Sequence, residues 1–295
     1  MQNFVVSCCS AVDLTLDYIN SRDIKCCYMH YFIDGVEYED DLGKTISYED
    51  FYTRMDNGAV TKTSQLNAES YVEHFKKLLD EGKNIIHLCL SSGLSGTINS
   101  ALIAKEELEK EYPNQKIAII DSLAASSGLG LLVDNLCDLR DEGVSFEEAV
   151  KTIEETKLNI RHWFFSTTLK FYVRGGRVSR LSGAIGSILH ICPLLDVSNE
   201  GKLLVREKVI SKNKVIKRIA EKMVEDSDGG VNYTGKCFMS NSGCKEDALK
   251  VIALIEEKIP AMKGKIKLFD IGTIIGAHSG RGTVALFYHG SKRIK

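Results

Sequence analysis

The chain has 295 residues, 44% of them hydrophobic, which suits about two domains with a normal apolar core. Its formal net charge is −2, and the 38 Lys and Arg and 40 Asp and Glu form no block of like charge, which argues against nucleic-acid binding. No apolar run approaches the roughly 18 residues of a membrane span, and residues 1–7 carry no basic segment ahead of an apolar one, so we expect a cytoplasmic protein without stable membrane insertion.

Residues 4–157 alternate short apolar runs with segments of helical periodicity. Strands are predicted at 4–6, 25–32, 85–90 and 116–120, with a short hairpin arm at 36–38. Helices are predicted at 13–20, 47–57, 67–81, 98–111 and 145–157, and a further helix contains Gly128 and Gly130, which we explain by close packing against a neighbouring element. This alternation predicts a doubly wound, mostly parallel α/β domain over residues 1–160.

Residues 161–295 are predicted to form a second, smaller α/β domain with a mixed sheet. Strands at 193–197 and 203–210 flank an Asn-Glu-Gly turn, which predicts an antiparallel pair. Further strands are predicted at 163–165, 235–239, 265–271 and 284–288, and further helices at 212–225 and 246–258. The stretch 184–192 is apolar except for His190, which predicts a buried helix or the wall of an apolar cavity, with Ile188 and Ile191 as candidate ligand contacts.

Nine cysteines are scattered along the chain, four of them in the doublets Cys8-Cys9 and Cys26-Cys27. Neither C-x-x-C nor His-paired metal spacing occurs, so spacing predicts no metal site. We expect reduced thiols that act mainly as small apolar side chains. A redox role for the doublets is the alternative.

A small-residue loop, Ser91-Ser92-Gly93-Leu94-Ser95-Gly96-Thr97, separates a predicted buried strand from a predicted helix. Open α/β sheets bind ligands at such positions, where hydroxyls and the helix N-terminus favour an anionic group. The sequence matches neither the G-x-x-x-x-G-K-[ST] phosphate loop nor the G-x-S-x-G nucleophile elbow. The alternative is a tight turn with N-capping serines.

Three other polar stretches are candidates for the same site. Thr63 and Ser64 lie in a hydroxyl-rich, non-helical segment, and they would matter only if the fold brought them near Ser95. His278 lies between glycines in a predicted loop over 276–282, where it could meet a carboxylate or act on a proton. The alternatives are ordinary turn hydroxyls and a surface histidine.

Arg174 and Arg177 flank a Gly-Gly pair, whose flexible backbone could aim both guanidinium groups at one anion or one acidic partner. The alternative is a helix C-cap at Gly175 with solvated arginines.

Taken together, these stretches resemble the DegV family of bacterial fatty-acid-binding proteins. The resemblance is carried by residues 63–65, 91–97, 121–122, 126–130, 169–179 and 276–282, which occur in family order along essentially the whole chain. It implies a two-domain α/β protein that holds a long-chain fatty acid in a tunnel at the domain junction. The bound fatty acid would be the ligand, and no cofactor is implied.

The resemblance also implies roles for individual residues. The carboxylate would be held by Thr63 and Ser95, with Ser64, Gly96 and His278 close by. Members of this kind serve as the binding subunit of a fatty acid kinase, whose separate ATP-binding subunit phosphorylates the carboxylate. Arg174 and Arg177 would lie on the side offered to that subunit.

The sequence departs from the family pattern at three positions. Cys9 stands where an aspartate is common, and Leu66 and Arg281 stand where prolines are usual. Lipid binding is therefore better supported than service to a kinase. A carrier without catalysis of its own is the preferred interpretation, because the sequence shows no nucleophile elbow and no evident aspartate partner for His278. The alternative is an acyl- or phosphoryl-transfer enzyme that uses Ser95 and His278.

Overall fold

The computed structural model describes residues 4–179 and 191–294. Its strands, in chain order, are β1 (Val5–Cys9), β2 (Ile24–Cys27), β3 (His30–Ile33), β4 (Val36–Glu39), β5 (Thr61–Ser64), β6 (Ile85–Cys89), β7 (Ile117–Asp121), β8 (Ile160–Ser166), β9 (Ile191–Val197), β10 (Leu203–Ile210), β11 (Cys237–Asn241), β12 (Lys267–Asp270) and β13 (Thr283–His289). Its helices are α1 (Leu16–Ser21), α2 (Tyr48–Asp56), α3 (Ala68–Asp80), α4 (Thr97–Glu111), α5 (Ser126–Asp141), α6 (Phe146–Thr156), α7 (Lys170–Arg174), α8 (Lys212–Asp226), α9 (Lys245–Lys258) and α10 (Thr273–Ser279). Single 3-10 turns lie at Ser10–Val12, Lys157–Asn159, Gly230–Asn232 and Pro260–Met262.

The first sheet is fully parallel, with the strand order β2-β1-β6-β7. β1 and β6 are buried along their whole length, as expected for parallel strands that helices cover on both faces. Side-chain caps explain where three of the helices begin, because Ser47, Asn67 and Ser145 each accept a hydrogen bond from the backbone N–H three residues further on. The predicted parallel α/β architecture of the first half is confirmed.

A small antiparallel sheet has the order β4-β3-β5. The predicted hairpin arm at 36–38 is confirmed as β4, whereas the pairing with β5 and the separation from the first sheet were not predicted. The single strand predicted over 25–32 is wrong, because β2 belongs to the first sheet and β3 to this one. The chain changes sheet near Met29, whose N–H donates to Ser10 Oγ and whose C=O accepts from the Asp40 N–H. Neither Gly nor Pro marks that change in the sequence. The third strand, β5, carries Thr63 and Ser64.

The second large sheet has six strands in the order β10-β9-β8-β13-β11-β12, and only β11 and β12 run parallel. The predicted antiparallel pair is confirmed as β9 and β10, with a bulge between Val205 and Glu207. One face of this sheet packs with α8 and α9 in its own hydrophobic core. The other face joins the larger core, which residues of the first sheet share.

The predicted helix over 184–192 is wrong at its end, where Ile191 and Cys192 begin β9 and pair with β10. Pro193 explains the difference, because the residue before a proline is driven away from helical geometry. Ile188 and His190 lie outside the described residues.

The helix α5 connects the two large sheets, since it packs against β1, β11 and β13. Its glycines make this possible: a Cβ on Gly128 would lie 2.3 Å from His162 Cε1, and one on Gly130 would lie 2.8 Å from Leu14 Cδ2. The predicted reason for both glycines, close packing, is confirmed. The proposed domain boundary after residue 160 falls at the start of β8 and stays a prediction.

Candidate functional site

A cavity of about 600 Å³ lies between the inner face of the six-stranded sheet and the loops that follow the first sheet. Its volume is in the usual range for small-molecule sites. Residues from both halves of the chain line it. Polar groups come from β5, the loop before α4 and α10, whereas the six-stranded sheet contributes mainly apolar side chains. Thr63, Ser64, Ser95, Gly96 and His278 all belong to this lining.

Ser95 lies at the start of the 15-residue helix α4. Its N–H donates to Ser91 O at 3.0 Å, and its hydroxyl accepts from the Thr97 N–H at 3.3 Å. A Cβ on Gly96 would lie 2.8 Å from Gln65 Oε1, so the flexible Gln65 side chain would have to shift to admit one. The loop thus presents a hydroxyl to the cavity near the N-terminus of α4, and both the hydroxyl and the helix N-terminus favour an anion.

His278 lies in the last turn of α10, so the predicted glycine loop over 276–282 is wrong for this residue. Its Nε2 is 2.8 Å from Thr63 Oγ1. Its Nδ1 is buried without a hydrogen-bond partner in the described part of the chain, against Gly175, where a Cβ would lie 2.3 Å away. Burial, with smaller contributions from Arg177 and Arg174, lowers the pKa of His278 to about 4. The ring is therefore neutral at neutral pH.

Arg174 and Arg177 have different environments. Arg177 lines the cavity, where its Nε donates to Leu94 O at 3.2 Å and its Nη1 donates to Gly175 O at 2.5 Å. Burial lowers the pKa of Arg177. Arg174 is exposed, and its Nη2 donates to Thr61 Oγ1 at 3.0 Å. Arg177 therefore adds positive charge to the polar end of the cavity, whereas Arg174 lies at the surface beside it.

The apolar wall comes from alternate residues of neighbouring strands: His162 and Phe164 on β8, Ala285 and Phe287 on β13. The sequence analysis did not identify these residues, although the alternation of side chains along a strand predicts that residues two apart face the same side of the sheet. Both ring nitrogens of His162 are buried without a partner among the described residues, and burial keeps its pKa well below the usual value. Ile191 is not part of the described lining.

A buried carboxyl group, also missed, lies just behind the lining residue Ser126. The Ser126 hydroxyl is 2.5 Å from Asp13 Oδ2 and 3.0 Å from Ser240 Oγ, and Asp13 Oδ1 accepts from the Gly272 N–H at 2.9 Å. Burial raises the pKa of Asp13 to about 8. Asp40, close enough to contribute to that shift, has its own pKa raised to about 6, again by burial. Asp13 is therefore mostly protonated, and uncharged, at neutral pH.

The three departures from the family pattern lie outside the described cavity lining. Cys9 is buried in β1, and burial raises the pKa of its thiol to about 12. Leu66 is buried in the core. Arg281 is held by acidic residues of α2, with its Nε 2.7 Å from Asp56 Oδ2 and its Nη2 2.9 Å from Glu49 Oε1. Its charge is thus paired away from the polar end of the cavity.

The arrangement lacks the hydrogen bonds of a nucleophile–base pair. His278 Nε2 bonds Thr63, the Ser95 hydroxyl bonds a backbone N–H, and no described carboxylate orients the imidazole. The site can hold an anionic head group with neutral donors and a nearby arginine, and it can enclose an apolar chain behind it. None of the helices in the described part of the chain has the length and apolarity that a bilayer crossing requires.

The two large sheets and their helices enclose a cavity that has polar groups at one end and mainly apolar side chains on the six-stranded sheet. This arrangement defines a small-molecule-binding protein. The chain belongs to the DegV family, because the model of that family, described as "Uncharacterised protein, DegV family", matches residues 5–290. The DegV domain-containing protein CPE0026 of Clostridium perfringens is 36% identical over 294 residues, which cover 99% of each chain.

Solved structures show the same fold. The fatty acid binding DegV family protein SAG1342 from Streptococcus agalactiae aligns with a TM-score of 0.83 at 26% identity, over 99% of this chain and 100% of that one. The Streptococcus pneumoniae Fatty Acid Kinase (Fak) B3 protein, loaded with linoleic acid, aligns with a TM-score of 0.82 at 23% identity, over the same shares of the two chains.

Proposed function

We propose that this protein binds a long-chain fatty acid, without catalysis of its own, and presents the carboxyl end to a separate ATP-binding kinase subunit. The observation that carries the proposal is the division of the cavity into a polar end and an apolar wall. Its relatives include a fatty acid binding DegV protein and a fatty acid kinase B3 protein. Both likenesses point to the same ligand class.

The carboxylate would accept hydrogen bonds from the Thr63 and Ser95 hydroxyls. The Thr63 hydroxyl has one proton, so when it donates to the carboxylate it must accept from His278 Nε2–H. The neutral imidazole meets that requirement, because the buried Nδ1 is then the unprotonated nitrogen. His278 therefore orients the Thr63 hydroxyl toward the ligand.

The acyl chain would supply most of the affinity. Each buried methylene contributes about 0.8 kcal/mol, whereas a neutral hydrogen bond contributes about 0.5–1.5 kcal/mol. A chain of ordinary length therefore outweighs the polar contacts. The hydroxyls would fix the direction of the ligand, with the carboxyl group at the loops.

The kinase subunit would approach at this loop end. Arg174 is exposed there, beside the cavity-lining Arg177, and offers a positive charge to an acidic partner or to a phosphate group. Phosphorylation by ATP would convert the carboxylate to an acyl phosphate. This chain would contribute the positioned carboxylate, and the partner would contribute the catalytic groups.

Native mass spectrometry of the gently purified protein tests the binding proposal. We expect one bound fatty acid per chain, which extraction removes and added oleate or palmitate restores. Delipidated protein that takes up neither acid would contradict the proposal. Ser95→Ala separates a carrier from an enzyme, because a carrier only binds more weakly, whereas hydrolase or transferase turnover by the isolated chain that Ser95→Ala abolishes would contradict the carrier role.

A further inference from the structure

A cluster of sulfur and nitrogen ligands lies on the first sheet, apart from the cavity. The strand register places Ser7 beside His87 and Cys9 beside Cys27, and these four side chains share one face of the sheet. The helix α3 adds His74 over that face. One potential ligand atom from each of Cys27, His74 and His87 lies within 4.8 Å of the other two.

Ser7 connects the two imidazoles. Its hydroxyl is 2.9 Å from His74 Nε2 and 2.8 Å from His87 Nδ1. The hydroxyl oxygen has two lone pairs and can accept an N–H from each ring, in which case the other nitrogen of each imidazole is free to bind a metal. This leaves His87 Nε2, which is buried and has no hydrogen-bond partner among the described residues. An unpaired nitrogen on a fully buried ring is costly, and a bound metal ion would offset that cost.

We propose that Cys27, His74 and His87 form a zinc-binding site. One thiolate and two imidazoles are donors that Zn²⁺ accepts, and they fill three positions of a tetrahedral site, which leaves the fourth to a water molecule. Ser7 is placed to orient the imidazoles, as outer partners of metal-bound histidines do. The spacing of these residues in the sequence did not predict the site, because they belong to β2, α3 and β6 and come together only in the folded structure.

Zinc binding requires a small closure and the loss of one proton. Ligand atoms in a tetrahedral zinc site lie roughly 3.4 Å apart, given bonds of about 2.0–2.3 Å, so the three donors must move together slightly. The Cys27 thiol now donates to Cys8 O at 3.3 Å, and burial raises its pKa. Zn²⁺ must therefore displace that proton, forming a Zn–S bond and releasing H⁺. Burial lowers the pKa of both histidines, which keeps them in the neutral, ligating form.

His74 is the most accessible of the three proposed ligands. Cys27 and His87 are buried, whereas His74 on α3 is partly buried. None of the three residues lines the described cavity, so bound zinc would crosslink two strands and a helix without competing with a lipid. We expect zinc to raise the melting temperature and to leave fatty acid occupancy unchanged.

The test uses the full chain, stripped with a chelator and then reloaded. Elemental analysis after gel filtration should give one Zn²⁺ per chain, and Co²⁺ as a probe should give a thiolate-to-cobalt charge-transfer band with tetrahedral visible absorption. Cys27→Ser should abolish that band, and His74→Gln should weaken Zn²⁺ binding at least tenfold. Cys26→Ser, at the neighbouring residue on the opposite face of β2, is the matched control and should retain both signals.

Each outcome decides the proposal. Circular dichroism and fatty acid binding should match the parent in every variant, and His74→Gln provides a test at a partly exposed helix position if Cys27→Ser fails to fold. The absence of stoichiometric Zn²⁺ and of the charge-transfer band from the parent would overturn the proposal. Binding of Cu⁺ alone, or Zn²⁺ binding that survives His74→Gln unchanged, would also overturn it. Lipid binding is measured separately, so either result stands independently of the proposed carrier function.

Discussion

Replacing Asp13 with Asn is expected to remove a pH dependence of folding that the buried carboxyl group creates. Burial raises the pKa of Asp13 to about 8, compared with about 3.9 for an unperturbed aspartate. Between these values the folded protein holds a proton that the unfolded chain has released. The free energy of unfolding therefore falls as pH rises, by up to about 1.4 kcal/mol per pH unit, until pH passes the folded pKa.

The parent and Asp13→Asn are compared between pH 6.5 and 8, because the other titrating groups are common to both proteins and cancel in the difference. Asp40, with its pKa raised to about 6, acts in the same direction as Asp13. Histidines with lowered pKa values, such as His74 and His278, act in the opposite direction while the unfolded imidazoles, with a pKa of about 6.5, release their remaining protons. Across this interval we expect the free energy of unfolding of the parent to change by about 2 kcal/mol relative to that of Asp13→Asn, in the direction of lower stability.

Urea unfolding at several pH values measures the effect. Asn can retain both hydrogen bonds, since its amide oxygen can accept from the Gly272 N–H and its NH₂ can donate to Ser126 Oγ. Asn also tolerates the left-handed backbone of this position, where φ is +47°. Asp17→Asn, at an exposed aspartate, is the control and should keep the parental slope. An equal change of stability with pH in the parent and in Asp13→Asn would refute the reasoning.

Three further predictions concern the cavity and its mouth. Thr63→Val keeps the side-chain shape but removes the hydroxyl, and should weaken fatty acid binding about 5–10-fold; an unchanged Kd by calorimetry would contradict the carboxylate contact. Arg174→Ala should keep the parental Kd but lower acyl phosphate formation by the partner kinase, and an equal rate would contradict its docking role. Gly128→Ala places a Cβ 2.3 Å from His162 Cε1 and should push that ring toward the cavity; an unchanged ratio of affinities for long and short fatty acids would contradict this account.

The elements that the sequence predicted best are those with a local physical signal. Buried parallel strands appear as short apolar runs, and three helix starts carry their own cap residues at Ser47, Asn67 and Ser145. The β9–β10 hairpin was predictable from its turn residues. By contrast, nothing local separates β2 from β3, because the change of sheet depends on distant partners such as Ser10.

The candidate site was predictable only in part, for a similar reason. Hydroxyls and glycines marked the loop that carries Ser95, but His278 was assigned to a loop because the glycines near it suggested one. In the structure Gly276 lies inside α10, where a Cβ would be 2.5 Å from Tyr52 Oη, and Gly280 ends the helix with φ at +68°. The link between Asp13 and Ser126 spans 113 residues, and no sequence periodicity relates them.

The polar end of the cavity is assembled from both halves of the chain by hydrogen bonds that cross between them. His278 Nε2 meets Thr63 Oγ1 at 2.8 Å, and Arg177 Nε donates to Leu94 O at 3.2 Å. On another side of the loop that carries Ser95, the Ser91 hydroxyl donates to Gly201 O at 2.8 Å. The donors proposed for the carboxylate come from the first half, whereas the groups that orient them and add positive charge come from the second. Neither half alone therefore forms the head-group site, and separating the halves would lose carboxylate orientation as well as the apolar wall.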